Sequence, residues 1–391
     1  MNKKEEALRV HEEHKGKIEI KSKLRVTTNE ELALAYTPGV AEPCKKIAEN
    51  PEDSYKYTSR GNLVAVISDG TAVLGMGDIG PLAAMPVMEG KAILFKEFAD
   101  IDSIPLVLDE TDPEKIIDII TALAPSFGGI NLEDMSAPRC FSIETELRKR
   151  LDIPVFHDDQ HGTAIVVAAA LINSLKLVHK EMSEIKVVLN GPGAAGTAII
   201  KLLQALGVTN IVACDSQGIL SRERLDTVTA YKQELIQTTN PEQITGGLKD
   251  AVVLADVFVG VSVAGALTKD MIASMKQEPI VFALANPIPE IMYEEAIEAG
   301  VAVMGTGRSD FPNQINNVLA FPGIFRGALE IRASEINEEM KVAAAYGIAS
   351  LIEESELRRE YVIPNAFDKR VVERVAAAVS EAGIKTGVAK V

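Results

Sequence analysis

A chain of 391 residues with 47% hydrophobic and 25% charged content is long enough for two buried cores and ordinary for a soluble globular protein. Its formal net charge of −16 argues against nucleic acid or an anionic membrane surface as a partner. An anionic substrate would therefore need local positive charge from a metal or from lysines, against the global field.

The stretch from Met1 to Lys17 lacks the apolar core of a signal peptide. The longest apolar run, Ala164 to Val178, is interrupted by Asn173, Ser174 and Lys176 and is too short and polar to span a bilayer. Cys44, Cys140 and Cys214 share no metal-ligand or disulfide spacing, which predicts buried thiols in a reducing cytoplasm.

In chain order, residues 3–15 predict a charged amphipathic helix ended near Gly16. A second helix over 29–35 is expected to be capped by Asn29 and stopped at Tyr36-Thr37-Pro38-Gly39, leaving Tyr36 at a helix-to-turn corner. From Leu63 the pattern alternates. Strand 63–67 leads through a glycine-rich loop (68–80) to a helix near 82–97, then strand 104–108 and a helix opening at Pro113. Strand 130–132, helix 142–151 and strand 155–156 follow. Repetition of this length predicts a parallel sheet with right-handed crossovers. Lys91 lies among small apolar neighbours on the helix after the glycine loop, where desolvation would poise it as a base. Lys96 is the competing candidate, and a solvated surface charge is the ordinary reading of either. The chain has no internal repeat and no linker near residue 160, where a division into 1–160 and 161–391 is expected.

Two acid pairs, Glu133-Asp134 and Asp158-Asp159, each close an apolar run. Neighbouring parallel strands would place both at one carboxyl edge, where open α/β sheets bind ligands. Either pair alone reads as solvated loop acids. Two pairs at equivalent strand ends, followed by a nucleotide fingerprint, read as a site for a hard divalent ion, Mg²⁺ or Mn²⁺.

The fingerprint is Gly191-Pro192-Gly193-Ala194-Ala195-Gly196, set between strand 186–189 and a helix over 197–206, with Asp215 following the next strand, 210–213. A complete βαβ unit with an acid at this spacing predicts dinucleotide binding, the glycines admitting a pyrophosphate and Asp215 meeting the ribose. An acid there favours NAD over NADP by repelling a 2′-phosphate, unless a neighbouring side chain overrides it. Strands at 257–261, 280–284 and 302–304 continue a Rossmann-like sheet. Their carboxyl ends bring Ser262 and Asn286-Pro287, candidates for the nicotinamide or substrate side. Asn316-Asn317 follows in a polar loop. The tail, 329–391, reads as mostly helical, with an apolar face of Val371, Val372, Val375 and Ala376 for the first domain or a partner subunit.

A nicotinamide cofactor beside a hard-metal carboxylate site points to hydride removal from a hydroxy acid, followed by CO₂ loss where a carboxylate lies β to the new ketone. The runs AYTPGVAEPC (35–44), SDGTAVLGMGDIGP (68–81), PVMEGKAILFKEFADID (86–102), INLEDMSAPRCF (130–141), VFHDDQHGTA (155–164), LNGPGAAG (189–196), FALANP (282–287) and QINNVLAFPGIFRGAL (314–329) together resemble the malic enzymes, the short bacterial type above all. The resemblance covers nearly the whole chain. It implies Glu133, Asp134 and Asp159 as metal ligands, Asp158 as the group orienting a lysine base, Lys91 as that base and Tyr36 as the acid that protonates the enolate. It also implies Asn286 and Asn317 on the substrate side, an NAD-linked conversion of (S)-malate to pyruvate and CO₂, and a homodimer. One departure stands out: larger members carry an arginine three residues after the Asp of the DG motif, and here that place is Ala72. Other readings are a soluble oxaloacetate decarboxylase on the same site, a non-catalytic NAD-binding sensor and a dehydrogenase for another hydroxy acid.

Overall fold

The computed structural model describes residues 3–73 and 75–391; Met1 and Asn2 of the charged N-terminal stretch and Leu74 of the glycine-rich loop lie outside the described residues. Four helices precede the first sheet: α1 (Lys3–His14), α2 (Asn29–Ala35), α3 (Ala41–Glu49) and α4 (Ser54–Tyr57). None of the four buries a residue. The cap of α2 is Thr28 rather than Asn29. Both have the chemistry, but a glutamate stands three residues after Thr28, and Glu31 and Thr28 exchange hydrogen bonds of 3.1 Å.

The first sheet is built from β1 (Leu63–Ser68), β2 (Asp102–Val107), β3 (Gly129–Leu132) and β4 (Val155–His157), all parallel, in the order β2-β1-β3-β4. The connecting helices are α5 (Pro81–Ala99), α6 (Pro113–Leu123) and α7 (Arg139–Arg150). Helices on both faces explain why β1 and β3 are almost wholly apolar and buried. Leu132 pairs with Ile67 on one side and His157 on the other, so both acid pairs leave the sheet at adjacent carboxyl ends, as the alternation predicts.

From β4 the chain turns directly into α8 (Asp158–Leu177), which is buried over most of its length. A helix apolar on all sides belongs inside a core, and α8 lies in one continuous core that reaches from Val64 and Val66 of β1 to Val187 and Leu189 of the second sheet. The division expected at residue 160 falls within its first turn.

The second sheet comprises β5 (Lys186–Asn190), β6 (Asn210–Asp215), β7 (Gly218–Ile219), β8 (Val257–Gly260), β9 (Ile280–Ala283) and β10 (Val303–Thr306). Its order is β10-β9-β8-β5-β6-β7, parallel except for the edge strand β7. Helices α9 (Ala194–Ala205), α10 (Ala230–Thr238), α11 (Leu248–Ala251), α12 (Lys269–Ala273) and α13 (Tyr293–Glu298) connect it. With β6 on one side of β5 and β8 on the other, the winding reverses at β5, which creates the crevice where such sheets bind ligands.

The tail forms α14 (Phe321–Glu330), α15 (Glu338–Ala349) and α16 (Arg370–Lys385). Val371, Val372, Val375 and Ala376 are buried on α16, which packs against α14 and α15. A side chain at Gly327 would stand 2.5 Å from the Ala376 carbonyl oxygen, so the two helices touch backbone to backbone. In turn α14 presses Phe321 and Phe325 onto Phe95 of α5, with ring centroids 4.8 and 5.2 Å apart. The tail thus packs back onto the first half of the chain. Cys140 and Cys214 are buried as expected, but Cys44 is exposed, on a helix α3 that buries no residue. Among the described residues no helix is long and apolar enough to cross a membrane.

Candidate active site

The register of the first sheet sets the acids, and α5 brings the cation. Lys91 is buried, with its ammonium 2.6 Å from Asp158 Oδ2 and 2.8 Å from Glu133 Oε1, and 4.3 Å above the centre of the Phe321 ring. Lys96 is instead on the surface with Asp100 and Asp102. One oxygen from each of Glu133, Asp134 and Asp159 lies within 4.8 Å of the other two. Asn131 donates to Glu133 Oε2 at 2.7 Å, and the Asp134 N–H donates to Asp159 Oδ2 at 2.7 Å. Asn317 donates to Asp158.

Burial is the largest influence on every acid here. It pushes Asp134 up to about 9, Glu133 and Asp158 up to about 7, and Asp159 up to about 6. For Lys91, burial works downward, but Asp158, Glu133 and Asp159 outweigh it and hold the ammonium above its ordinary value. Desolvation alone predicts a lowered lysine; three carboxylates around it reverse the sign. The buried oxygens Asp134 Oδ2 and Asp158 Oδ1 have no hydrogen-bond partner. Crowded, under-satisfied carboxylate oxygens fit a hard divalent cation, with Glu133, Asp134 and Asp159 as the residues able to hold it.

The glycine motif also fits its predicted ligand. A Cβ at Gly191 (φ +101°) would stand 2.4 Å from the Val261 carbonyl oxygen, and one at Gly196 2.2 Å from that of Gly191. The protein's own packing therefore requires both. Gly193 meets nothing within 4 Å, so its bare backbone faces open space at the start of α9, where a pyrophosphate can approach. The helix begins at Ala194, so Ala194, Ala195 and Gly196 form its first turn, three residues earlier than expected. Ser262 is engaged inward: its hydroxyl donates to Glu290 at 2.9 Å and accepts from Asn190 at 2.8 Å. Asn286 is exposed, and the glycine-rich loop of the first domain approaches its backbone at Gly75.

Two family models match the chain: the malic enzyme N-terminal domain over residues 14–148 and the malic enzyme NAD binding domain over residues 160–384. This chain belongs to the malic enzyme family. It is 60% identical over 391 residues to the bifunctional malic/malolactic enzyme of Bacillus subtilis, covering 100% of this chain and 95% of that one. To the NAD-dependent malic enzyme of Geobacillus stearothermophilus it is 59% identical over 375 residues, covering 96% and 78%. Its structure matches the crystal structure of the NAD-dependent malic enzyme of Thermotoga maritima with a TM-score of 0.93 at 52% identity, over 96% of this chain and 98% of that one.

Within that family frame, the structure adds surroundings to three positions singled out in the sequence: Asp215, Ala72, and Tyr36 at the helix-to-turn corner where it was expected. Asp215 is not a bare acid: Arg224 at 2.9 Å and Lys232 at 2.7 Å both pair with it. Burial would raise its carboxyl, but hydrogen bonds from those two cations hold it at about 2. One negative and two positive charges leave the site with a surplus of one positive, so repulsion of a 2′-phosphate does not follow from Asp215. Beside Ala72, Arg139 donates to the Thr71 hydroxyl, but it is paired with Asp69 at 2.7 Å. Tyr36, at the C-cap of α2, is 67% exposed, at a corner in a segment that buries nothing. The structure unites Lys91, Glu133, Asp134, Asp158, Asp159 and Asn317, and leaves Tyr36 on the surface.

Sequence reasoning missed Asn131, Glu290, Arg139 and the pair Arg224 and Lys232. Only Asn131 left a signal, since two residues before Glu133 on a strand is the same face.

Proposed function

We propose that this chain oxidises and decarboxylates (S)-malate to pyruvate and CO₂ with a nicotinamide cofactor, residues 1–160 serving malate and metal and 161–391 the cofactor. The observation that carries this reading is Lys91 held between Asp158 and Glu133 beside the oxygens of Glu133, Asp134 and Asp159. A Mg²⁺ or Mn²⁺ ion on Glu133, Asp134 and Asp159 would supply a Lewis acid for the substrate's hydroxyl and carboxylate oxygens, and a charge that relieves Lys91 of neutralising the acids. A dinucleotide against Gly191, Gly193 and the first turn of α9 would supply the hydride acceptor. Lys91 Nζ, oriented by Asp158, takes the proton of the malate hydroxyl. Asn317 fixes Asp158 in turn. Tyr36 Oη delivers a proton to carbon after CO₂ leaves.

For Tyr36 to act, its arm must be docked. Residues 3–40 bury no side chain and expose Leu8, Ile20, Leu24, Leu34 and Tyr36 together. We assign the cover to a second copy of the chain, giving a homodimer in which Tyr36 completes the partner's site. The buried thiols suit a reducing cytoplasm, which we take as the compartment.

The cofactor arm is tested by steady-state assays crossing malate with NAD and NADP under Mg²⁺ and Mn²⁺. Reduction of NAD coupled to pyruvate is expected, with measurable use of NADP. Lys232→Gln should lower kcat/KM for NADP by roughly tenfold, the loss expected of one charge-assisted contact, and spare NAD. An unchanged NADP/NAD ratio would place the choice elsewhere.

A further inference from the structure

Beside the first turn of α8, a second set of buried charged groups takes no part in the chemistry above. Glu144 of α7 is 6% exposed and accepts three hydrogen bonds from the start of α8. They come from the His157 backbone N–H at 3.2 Å, Gln160 Nε2 at 3.3 Å and His161 Nε2 at 2.9 Å. The other ring nitrogen of His161, Nδ1, lies 3.1 Å from Lys341 Nζ of α15, itself 3% exposed and 2.7 Å from Glu338. A lysine ammonium only donates, so Nδ1 is the acceptor and Nε2 carries the hydrogen directed at Glu144. The four side chains form one continuous run, Glu338–Lys341–His161–Glu144, that ends on the backbone of the α8 N-cap.

That end needs holding. The N-cap residue His157 makes no side-chain cap, and both its buried ring nitrogens lack a hydrogen bond, Nδ1 lying 3.8 Å from Asp159 Oδ2. The next two residues are mutually repelling carboxylates facing Glu133 and Asp134. Packing is incomplete on this side, where a cavity of about 270 Å³ borders Glu144, Gln160, His161 and Lys341, so hydrogen bonds from outside the helix help to hold the turn there. Glu144 replaces the missing cap with a carboxylate at the helix N-terminus, where the backbone dipole favours one.

We propose that Glu144, His161 and Lys341 are positioning residues, which set the first turn of α8 and so the placement of Asp158 and Asp159 for a divalent cation. The inference rests on the metal reading above. Because Glu144 belongs to the first half of the chain and Lys341 to its C-terminal helices, the run also ties the juxtaposition of the two halves to the metal site.

The test is Mn²⁺ binding to the full-length protein, followed by the electron paramagnetic resonance of free Mn²⁺, with NADH binding measured alongside by fluorescence. Lys341→Met should raise the Kd for Mn²⁺ roughly tenfold, the lower range for outer partners of metal ligands. The Kd for NADH should stay unchanged, and Lys341→Arg, which keeps a donor for Nδ1, should restore most of the affinity. A role confined to stability would lower the melting temperature and leave the Mn²⁺ affinity of the folded protein alone. Should Lys341→Met fail to fold, the near-isosteric Glu144→Gln carries the same expectation. Absence of Mn²⁺ binding by the wild type would overturn the metal reading itself. Wild-type affinity in these variants would overturn only the positioning role.

Discussion

Lys91→Ala is expected to lower malate turnover by roughly 10²–10⁴, the range for loss of a general base. Tyr36→Phe should cause a loss of the same order at the protonation step. Lys91 stands in its own chain's acid cluster, 2.6 Å from Asp158, whereas Tyr36 is exposed on an arm that buries nothing. If the arm docks on a second copy, a mixed dimer of the two variants contains one site with both residues intact and one with neither. Random mixing of equal amounts should then recover about a quarter of wild-type activity, since half the dimers are mixed and each has one good site. Mixtures as inactive as their parents would show that both residues serve the same chain. Lys91→Ala has a structural consequence as well: it strips the buried acids of their cation, a change that costs about 3–5 kcal/mol when one partner of a buried pair is removed. Lower pH or added Mg²⁺ should reduce that cost.

The second large effect is a metal-linked change in stability with pH. A carboxyl whose folded value is raised stabilises the fold while protonated and loses that contribution as pH rises through the folded value. The unfolded carboxyls titrate at about 4, so the loss runs from there to about 7 for Glu133 and Asp158 and to about 9 for Asp134, which alone carries it between pH 7 and 9. Other groups act outside this window. His157 and His161 are held below 6.5, chiefly by burial, so they favour the fold increasingly only up to that value. Glu144 and Asp215 are held at about 2. In the metal-free protein Lys91 is held above its ordinary value by its carboxylates and keeps its proton through this window; an ion that takes over those carboxylates is what frees it to act as a base. Chelator-treated protein should therefore melt at progressively lower temperature from pH 7 to 9. Saturating Mg²⁺ should oppose this, adding about 4 kcal/mol at a thousandfold excess over its Kd, and its affinity should rise with pH as protons leave the acids. A melting-temperature gap between Mg²⁺-loaded and chelated protein that stays constant over pH 7–9 would contradict the assignment.

Much of this was legible in the residues because it follows from local chemistry. Strand ends can be read from apolar runs, and adjacent parallel strands carry their next residues to one edge; hence the four acids met where expected. Gly191 and Gly196 were legible because only glycine tolerates the carbonyl contacts found there. Lys91 was distinguished from Lys96 by the family motif alone, since helical spacing gives each a plausible face. What the residues did not disclose is pairing across distance. Arg224 and Lys232 reach Asp215 only because the chain folds back after β7. Glu144 and Lys341 meet His161 from helices nearly two hundred residues apart in the chain. The sign of the Lys91 shift was equally hidden, because burial and three carboxylates oppose each other and only their distances settle which wins.

The most direct measurement is a closed-vessel product balance on (S)-malate with NAD and Mn²⁺, quantifying NADH, CO₂, pyruvate and lactate together. Oxidative decarboxylation predicts equal amounts of NADH, CO₂ and pyruvate, and none of them after chelation or in Asp159→Ala. Carbon dioxide released from malate without matching NADH and pyruvate, or a full yield of all three from Asp159→Ala at ordinary Mn²⁺, would contradict it.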